Sequence, residues 1–138
     1  VVQRDWHKST GGKVYLDEYL AAMRHLRDAG FTRGVGTYLL FGLPGQSLEA
    51  VREGCRVVAE QGSEIYLALY SPIPATPLYE RPGGAFRFDP RVDPLFHNNS
   101  LAPFQSPAFT EIQYRELRQF ARALNENVRK GPFFGVPR

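Results

Sequence analysis

The sequence runs to 138 residues with a formal charge of +3, 43% apolar and 22% charged side chains, the make-up of one ordinary globular domain and not of a disordered chain. No run of about 18 apolar residues is present to cross a bilayer as a helix, and the opening Val1-Val2-Gln3-Arg4-Asp5-Trp6 lacks the charged-then-apolar pattern of a secretion signal. The single cysteine, Cys55, excludes an internal disulfide and any all-cysteine metal site built from these residues alone, so the expected compartment is the reducing cytoplasm. Arginine and lysine are scattered, not clustered, which permits an anionic ligand without calling for nucleic acid or a membrane surface. The chain opens on Val1 and carries its one methionine, Met23, inside a helical pattern, so the expectation is a piece excised from a longer polypeptide.

In chain order, the first fifteen residues read as a loop: Ser9-Thr10-Gly11-Gly12 is turn chemistry, and Arg4, His7 and Lys8 surround Trp6. Leu16, Tyr19, Leu20, Met23 and Leu26 then recur at steps of three and four, which predicts a helix over 16–29 closed by Gly30. His25 falls on its solvent side. The run from Gly34 to Gly42 is rich in β-branched and aromatic residues and nearly continuous in apolar character. That predicts a strand covered on both faces, as in a parallel sheet. A tight turn, Gly42-Leu43-Pro44-Gly45-Gln46, leads to Ser47 as N-cap of a second helix with Leu48, Val51, Cys55 and Val58 on one face and Gly62 at its end. Gly54, inside that helix, costs about 1 kcal/mol against alanine and suggests a close packing contact. Ile65 to Tyr70 is a second strand of the buried type, so strand, helix and strand form a βαβ unit with parallel strands.

Residues 71–108 hold eight of the eleven prolines and no sustained period, which predicts a binding loop or lid, partly ordered because Phe86, Phe88, Leu95, Phe96, Leu101 and Phe104 need packing. Thr110 with Gln113 then makes a capping box, Phe109 can staple onto Tyr114, and Leu117, Phe120, Ala121, Leu124 and Val128 form the buried stripe of a last helix stopped by Gly131-Pro132. Arg115, Arg118, Arg122 and Arg129 lie largely off that stripe, on a solvated face.

The order of helix, strand, Gly42-Leu43-Pro44-Gly45-Gln46-Ser47, helix, strand, Tyr70-Ser71-Pro72-Ile73-Pro74-Ala75-Thr76-Pro77-Leu78 resembles the C-terminal half of the radical S-adenosylmethionine (SAM) catalytic domain, in the branch that often carries a cobalamin-binding domain. The likeness covers residues 4–80, and the stretch Asp93 to Ser100 resembles a segment that follows the barrel in some members. It implies an α/β fold: the C-terminal portion of a partial (β/α)6 barrel of the TIM type, here a βαβ unit flanked by helices, followed by a Pro-rich loop and a C-terminal helix. The division is then 1–80 for the barrel part, 81–108 for the loop or lid and 109–138 for the helical extension. The family's CxxxCxxC motif, which holds a four-iron, four-sulfur cluster open to SAM, is absent from this chain, and Ala75 and Gln46 stand where the family has Gly and Glu. The resemblance therefore implies a fragment whose missing remainder is its first partner. The intact enzyme would use SAM and a 4Fe-4S cluster, with cobalamin left open, to generate a 5′-deoxyadenosyl radical that abstracts a hydrogen from a small-molecule substrate. The piece in hand would be inert alone and would leave a strand edge free for self-association.

Ligands in parallel α/β sheets bind beyond the carboxyl ends of the strands, where turns and helix N-termini present backbone groups. By resemblance, Leu40, Phe41, Gly42, Leu43 and Pro44 after one strand and Ser71, Pro72 and Ile73 after the next would line the adenine end of SAM. The competing reading makes them a tight turn and a strand exit needed only for folding. Arg4, His7 and Lys8 follow the place of the preceding strand, and His97 with Asn98 could face the barrel mouth; these are the candidate substrate contacts. No catalytic or metal-ligating residue is assigned. Two rivals stand beside this reading: a binding or scaffold module lacking a cluster, and a small α/β hydrolase or transferase using His97, for which no nucleophile with a partner is visible.

Overall fold

The computed structural model describes residues 14–31, 34–43, 46–70, 85–86, 104–105 and 110–131. Its elements are α1 (Leu16–Asp28), β1 (Gly36–Phe41), α2 (Leu48–Glu60), β2 (Glu64–Leu69), the two-residue strands β3 (Ala85–Phe86) and β4 (Phe104–Gln105), and α3 (Glu111–Lys130). The chain is mixed α/β, with β1 and β2 paired in parallel from Gly36 opposite Glu64 to Phe41 opposite Leu69. β3 and β4 form a separate antiparallel ladder, Ala85 opposite Gln105 and Phe86 opposite Phe104, inside the segment expected to be a partly ordered loop. The described strands make two two-stranded sheets and close no barrel. Among the described residues no helix is long and apolar enough to cross a membrane.

Local chemistry sets the element ends. The Glu18 carboxylate accepts the Tyr15 N–H at 2.9 Å to close the start of α1, and Gly30, with φ of 80°, ends it in the left-handed region that glycine enters without steric cost. Ser47 Oγ accepts from Ala50 N at 3.1 Å at the head of α2. Thr110 Oγ1 accepts from Gln113 N while the Gln113 side chain accepts from Thr110 N at 2.7 Å, completing the capping box of α3.

The three helices share one core. Tyr19 and Met23 of α1, Val51, Cys55 and Val58 of α2, and Tyr114, Leu117 and Ala121 of α3 meet Leu39, Phe41, Ile65 and Leu69, which all project from one face of the parallel pair. Gly54 marks the closest approach: a Cβ there would lie 3.2 Å from Leu39 Cδ1, the packing contact that the glycine suggests. Phe120, at the edge of this core, lies beneath two guanidinium groups, those of Arg52 and Arg56, at 5.8 and 5.6 Å from its centroid.

The opposite face differs from expectation. Tyr38 is 74% and Tyr66 48% exposed, with Leu40 and Ala68 half-buried beside them, whereas Leu39 is 2% exposed. The strands alternate in burial instead of being covered on both sides. The sequence hides this because both solvent-facing side chains are tyrosines, apolar in body and polar only at the tip, so the period-two signal is masked. Their rings lie 5.5 Å apart at 30°.

At the amino ends of the strands a chain of hydroxyls ties three elements together. Tyr19 Oη meets Thr37 Oγ1 at 3.1 Å, Thr37 Oγ1 meets Ser63 Oγ at 2.8 Å, and Ser63 donates to Val35 O at 3.1 Å. Since Ser63 spends its proton on the carbonyl, Thr37 donates to Ser63 and Tyr19 to Thr37, so every hydroxyl proton in this buried chain has a partner. On the far side of β2, the Asn125 amide of α3 accepts from Ile65 N at 2.8 Å and donates to Ile65 O at 2.9 Å, taking the place that a third strand would have. Arg129 near the end of α3 pairs with Glu64 at 2.7 Å.

Candidate functional site at the carboxyl ends of the strands

Both motif-bearing exits leave the sheet at the same end because the pair is parallel and in register. Beyond the last rung, Tyr70 N donates to Phe41 O at 2.7 Å and holds the two exits together. From there β1 turns at Gly42, whose φ of 85° is the left-handed conformation that a tight turn off a strand requires. The space a side chain would take at Gly42 is already filled: a Cβ would lie 2.9 Å from Leu69 Cδ1 and 3.2 Å from Tyr114 Oη.

Gln46 then closes the turn on itself. Its Nε2 donates to Leu40 O at 3.2 Å, its Oε1 accepts from Leu43 N at 3.3 Å, and its own N–H donates to Leu43 O at 3.1 Å. One side-chain amide thus satisfies a donor and an acceptor on opposite sides of the turn. An ionised glutamate in this place would have no such N–H to offer Leu40 O. Ser47 follows directly as the N-cap of α2, so strand end, turn and helix start are joined without slack.

The expected site residues separate into three groups. Phe41 and Leu43 are each 1% exposed, with Phe41 meeting Tyr114 edge-on at 5.5 Å, so their side chains belong to the core and only their backbone faces the strand ends. Leu40 projects from the open face, half-buried, and Gly42 contributes backbone alone. Pro44, Ser71, Pro72, Ile73, Arg4, His7, Lys8, His97 and Asn98 lie outside the described residues.

Two tyrosines that sequence reasoning did not assign to the site stand at this end. Tyr70 and Tyr114 are both buried, and burial pushes their hydroxyls above the usual tyrosine range. The signals available were their positions: Tyr70 ends the second strand, and Tyr114 occupies the fourth residue of α3, read only as the receiver of a hydrophobic staple. Cys55 is fully buried in the middle of α2 and its thiol is pushed up to about 11 by that burial, so it is a packed small residue with little thiolate at neutral pH. Among the described residues no group of three or more His, Cys, Asp or Glu side chains is placed to hold a metal ion.

Comparison with family models, with curated proteins and with solved structures returns no match to this chain.

Proposed function

We propose that this chain is the C-terminal part of a radical SAM catalytic barrel, contributing the wall nearest the adenine of SAM. The observation that carries the reading is the layout of the parallel unit: among the described residues the helices pack on one face of β1 and β2, Tyr38 and Tyr66 stand exposed on the other, and the two strands end on the same side. That is the layout of a barrel segment, whose outer face meets its helices, whose inner face is covered by the rest of the barrel and whose strand ends face the ligand.

The described residues fit the two implied groups unequally. They offer no ligand set for a cluster, since the one thiol is sealed in the core, so the iron would be held by cysteines on another part of the polypeptide. For SAM they offer the half-buried Leu40 side chain as an apolar contact for the face of a flat ring, with the buried Gly42 holding the turn behind it. When bound, cluster and SAM together supply hydrogen-abstraction chemistry. The chain's own share is placement: Gln46 holds the turn, the Tyr70-to-Phe41 hydrogen bond sets the spacing of the exits, and Phe41, Leu43 and Tyr114 pack water out from beneath.

The test is the protein expressed from its native start codon under anaerobic conditions, with intact mass and iron measured on the same sample. The expected product is well above 15.6 kDa and carries about four irons. A product of this size without iron overturns the reading and favours a free-standing binding module.

A further inference from the structure

We propose that the cavity between the last turns of α2 and α3 is a binding site for a small organic amine, a protonated ammonium carried on a compact apolar body. The inference is independent of the reading above, because the site lies at the opposite end of the sheet from the strand exits. Both helices run against the strands. α2 carries the chain from the end of β1 back to the start of β2, and α3 places Tyr114 beside Phe41 but Asn125 and Arg129 beside Ile65 and Glu64. Their carboxyl ends therefore come together near the amino ends of the strands, where the cavity of about 410 Å³ opens. That volume falls within the roughly 300–1,000 Å³ range of small-molecule sites.

The cavity walls divide by chemistry. Ala59 of α2 with Leu124 and Val128 of α3 supply an apolar floor, and Arg56, Glu60 and Asn127 supply polar groups. The Arg56 guanidinium is matched twice, by Glu49 and Glu53 at 2.8 Å each, so it brings no uncompensated positive charge. The Glu60 carboxylate has no ion-pair or hydrogen-bond partner among the described residues. Of the two cations in the last turn of α3, Arg129 turns to Glu64 and Lys130 is not part of the wall. Two helix carboxyl ends side by side add negative potential of their own.

A backbone acceptor completes the set. Within a helix the Val128 carbonyl would receive its hydrogen bond from the residue four positions on, and that residue is Pro132, which has no N–H. The donor before it, Gly131 N, is spent on Asn127 O at 2.8 Å. Gly131 also keeps these carbonyls bare: a Cβ there would lie 3.2 Å from Asn127 O and 3.9 Å from Val128 O, so any side chain would sit over the rim. An ammonium brings three donors and no acceptor. It matches the Glu60 carboxylate, the Val128 carbonyl and the Asn127 side-chain oxygen, and its apolar body matches the floor. An anion would face the same carboxylate and carbonyl oxygens with repulsion.

The experiment is a titration of the 138-residue chain at neutral pH with benzylamine, followed in amide proton–nitrogen correlation spectra, with benzyl alcohol as the uncharged match. The expected result is a saturable shift at the Gly62 and Gly131 amides, which both border the cavity, with benzyl alcohol bound at least about ten-fold more weakly. Glu60→Gln keeps the shape of an exposed side chain and should weaken benzylamine about five-fold or more. Glu126→Gln makes the same charge change on α3 outside the cavity and should leave binding unchanged. No saturable change at the two amides, equal binding of the alcohol, or equal losses in Glu60→Gln and Glu126→Gln each overturns the proposal. The first of these is the result expected if another part of the polypeptide covers the cavity.

Discussion

Replacing Asn125 by leucine tests how the fold closes the outer edge of β2. The Asn125 amide makes two hydrogen bonds, 2.8 Å from Ile65 N and 2.9 Å to Ile65 O, across sixty residues of sequence. Ile65 is itself 4% exposed, so water does not easily replace the lost partner. Leucine keeps nearly the same size and removes both bonds. Each net bond contributes about 1 kcal/mol, and leaving a buried donor or acceptor unpaired raises the loss to about 1–3 kcal/mol per group. The expected destabilisation is about 2–4 kcal/mol, a large share of the roughly 5–15 kcal/mol that a domain has to spare. Asn125→Asp separates the two bonds, keeping an acceptor for Ile65 N but setting a lone pair against Ile65 O. Urea unfolding followed by circular dichroism gives the free energies, and amide exchange at Ile65 reads the site directly. A loss in Asn125→Leu below about 0.5 kcal/mol, the level of an ordinary surface change, with Ile65 protection unchanged, would refute the surrogate-strand account.

Two glycines with the same backbone sign but different surroundings should respond differently to alanine. Gly30, at φ of 80° with nothing within 4 Å of its Cβ position, should lose about 1 kcal/mol from conformation alone; Gly42, at 85° and crowded by Leu69 and Tyr114, should lose about 2–5 kcal/mol, and equal losses in urea melts would contradict the packing described at the turn. The Cys55 thiol, raised by burial from 9.0 to about 11, ionises more readily in the unfolded chain. Its contribution is therefore intact below pH 9 and is lost as pH rises toward 11, by about 2–3 kcal/mol. Cys55→Ala should flatten that part of the pH–stability curve. Tyr19, Tyr70 and Tyr114, also raised by burial, act with the same sign in both proteins, so the difference isolates the thiol; parallel curves would count against it.

Helices, strand pairing and element ends were legible in the residues because each rests on a neighbour three or four positions away or on a repeating period. Gly30 and Gly62, Ser47, and Thr110 with Gln113 mark their ends in the sequence and in the structure alike. The parallel sense of the sheet follows as directly, since a helix of 13 residues between two short strands must carry the chain back before the second strand begins. Gly54 signalled its contact through the helix propensity it forfeits, and the structure supplied the partner, Leu39.

What only the tertiary structure decided is which apolar-looking positions are inside and which polar groups satisfy the backbone. Tyr38 and Tyr66 read as core and stand in solvent, while Phe41 and Leu43 read as site walls and turn their side chains into the core. Gln46 read as a departure from a motif, yet its amide spans the turn. Asn125 and the Tyr19–Thr37–Ser63 chain carried no signal at all, because their partners lie 18 to 60 residues away. A sequence records the donors and acceptors that each residue brings, but burial makes them costly to leave unpaired, and burial belongs to the assembled core.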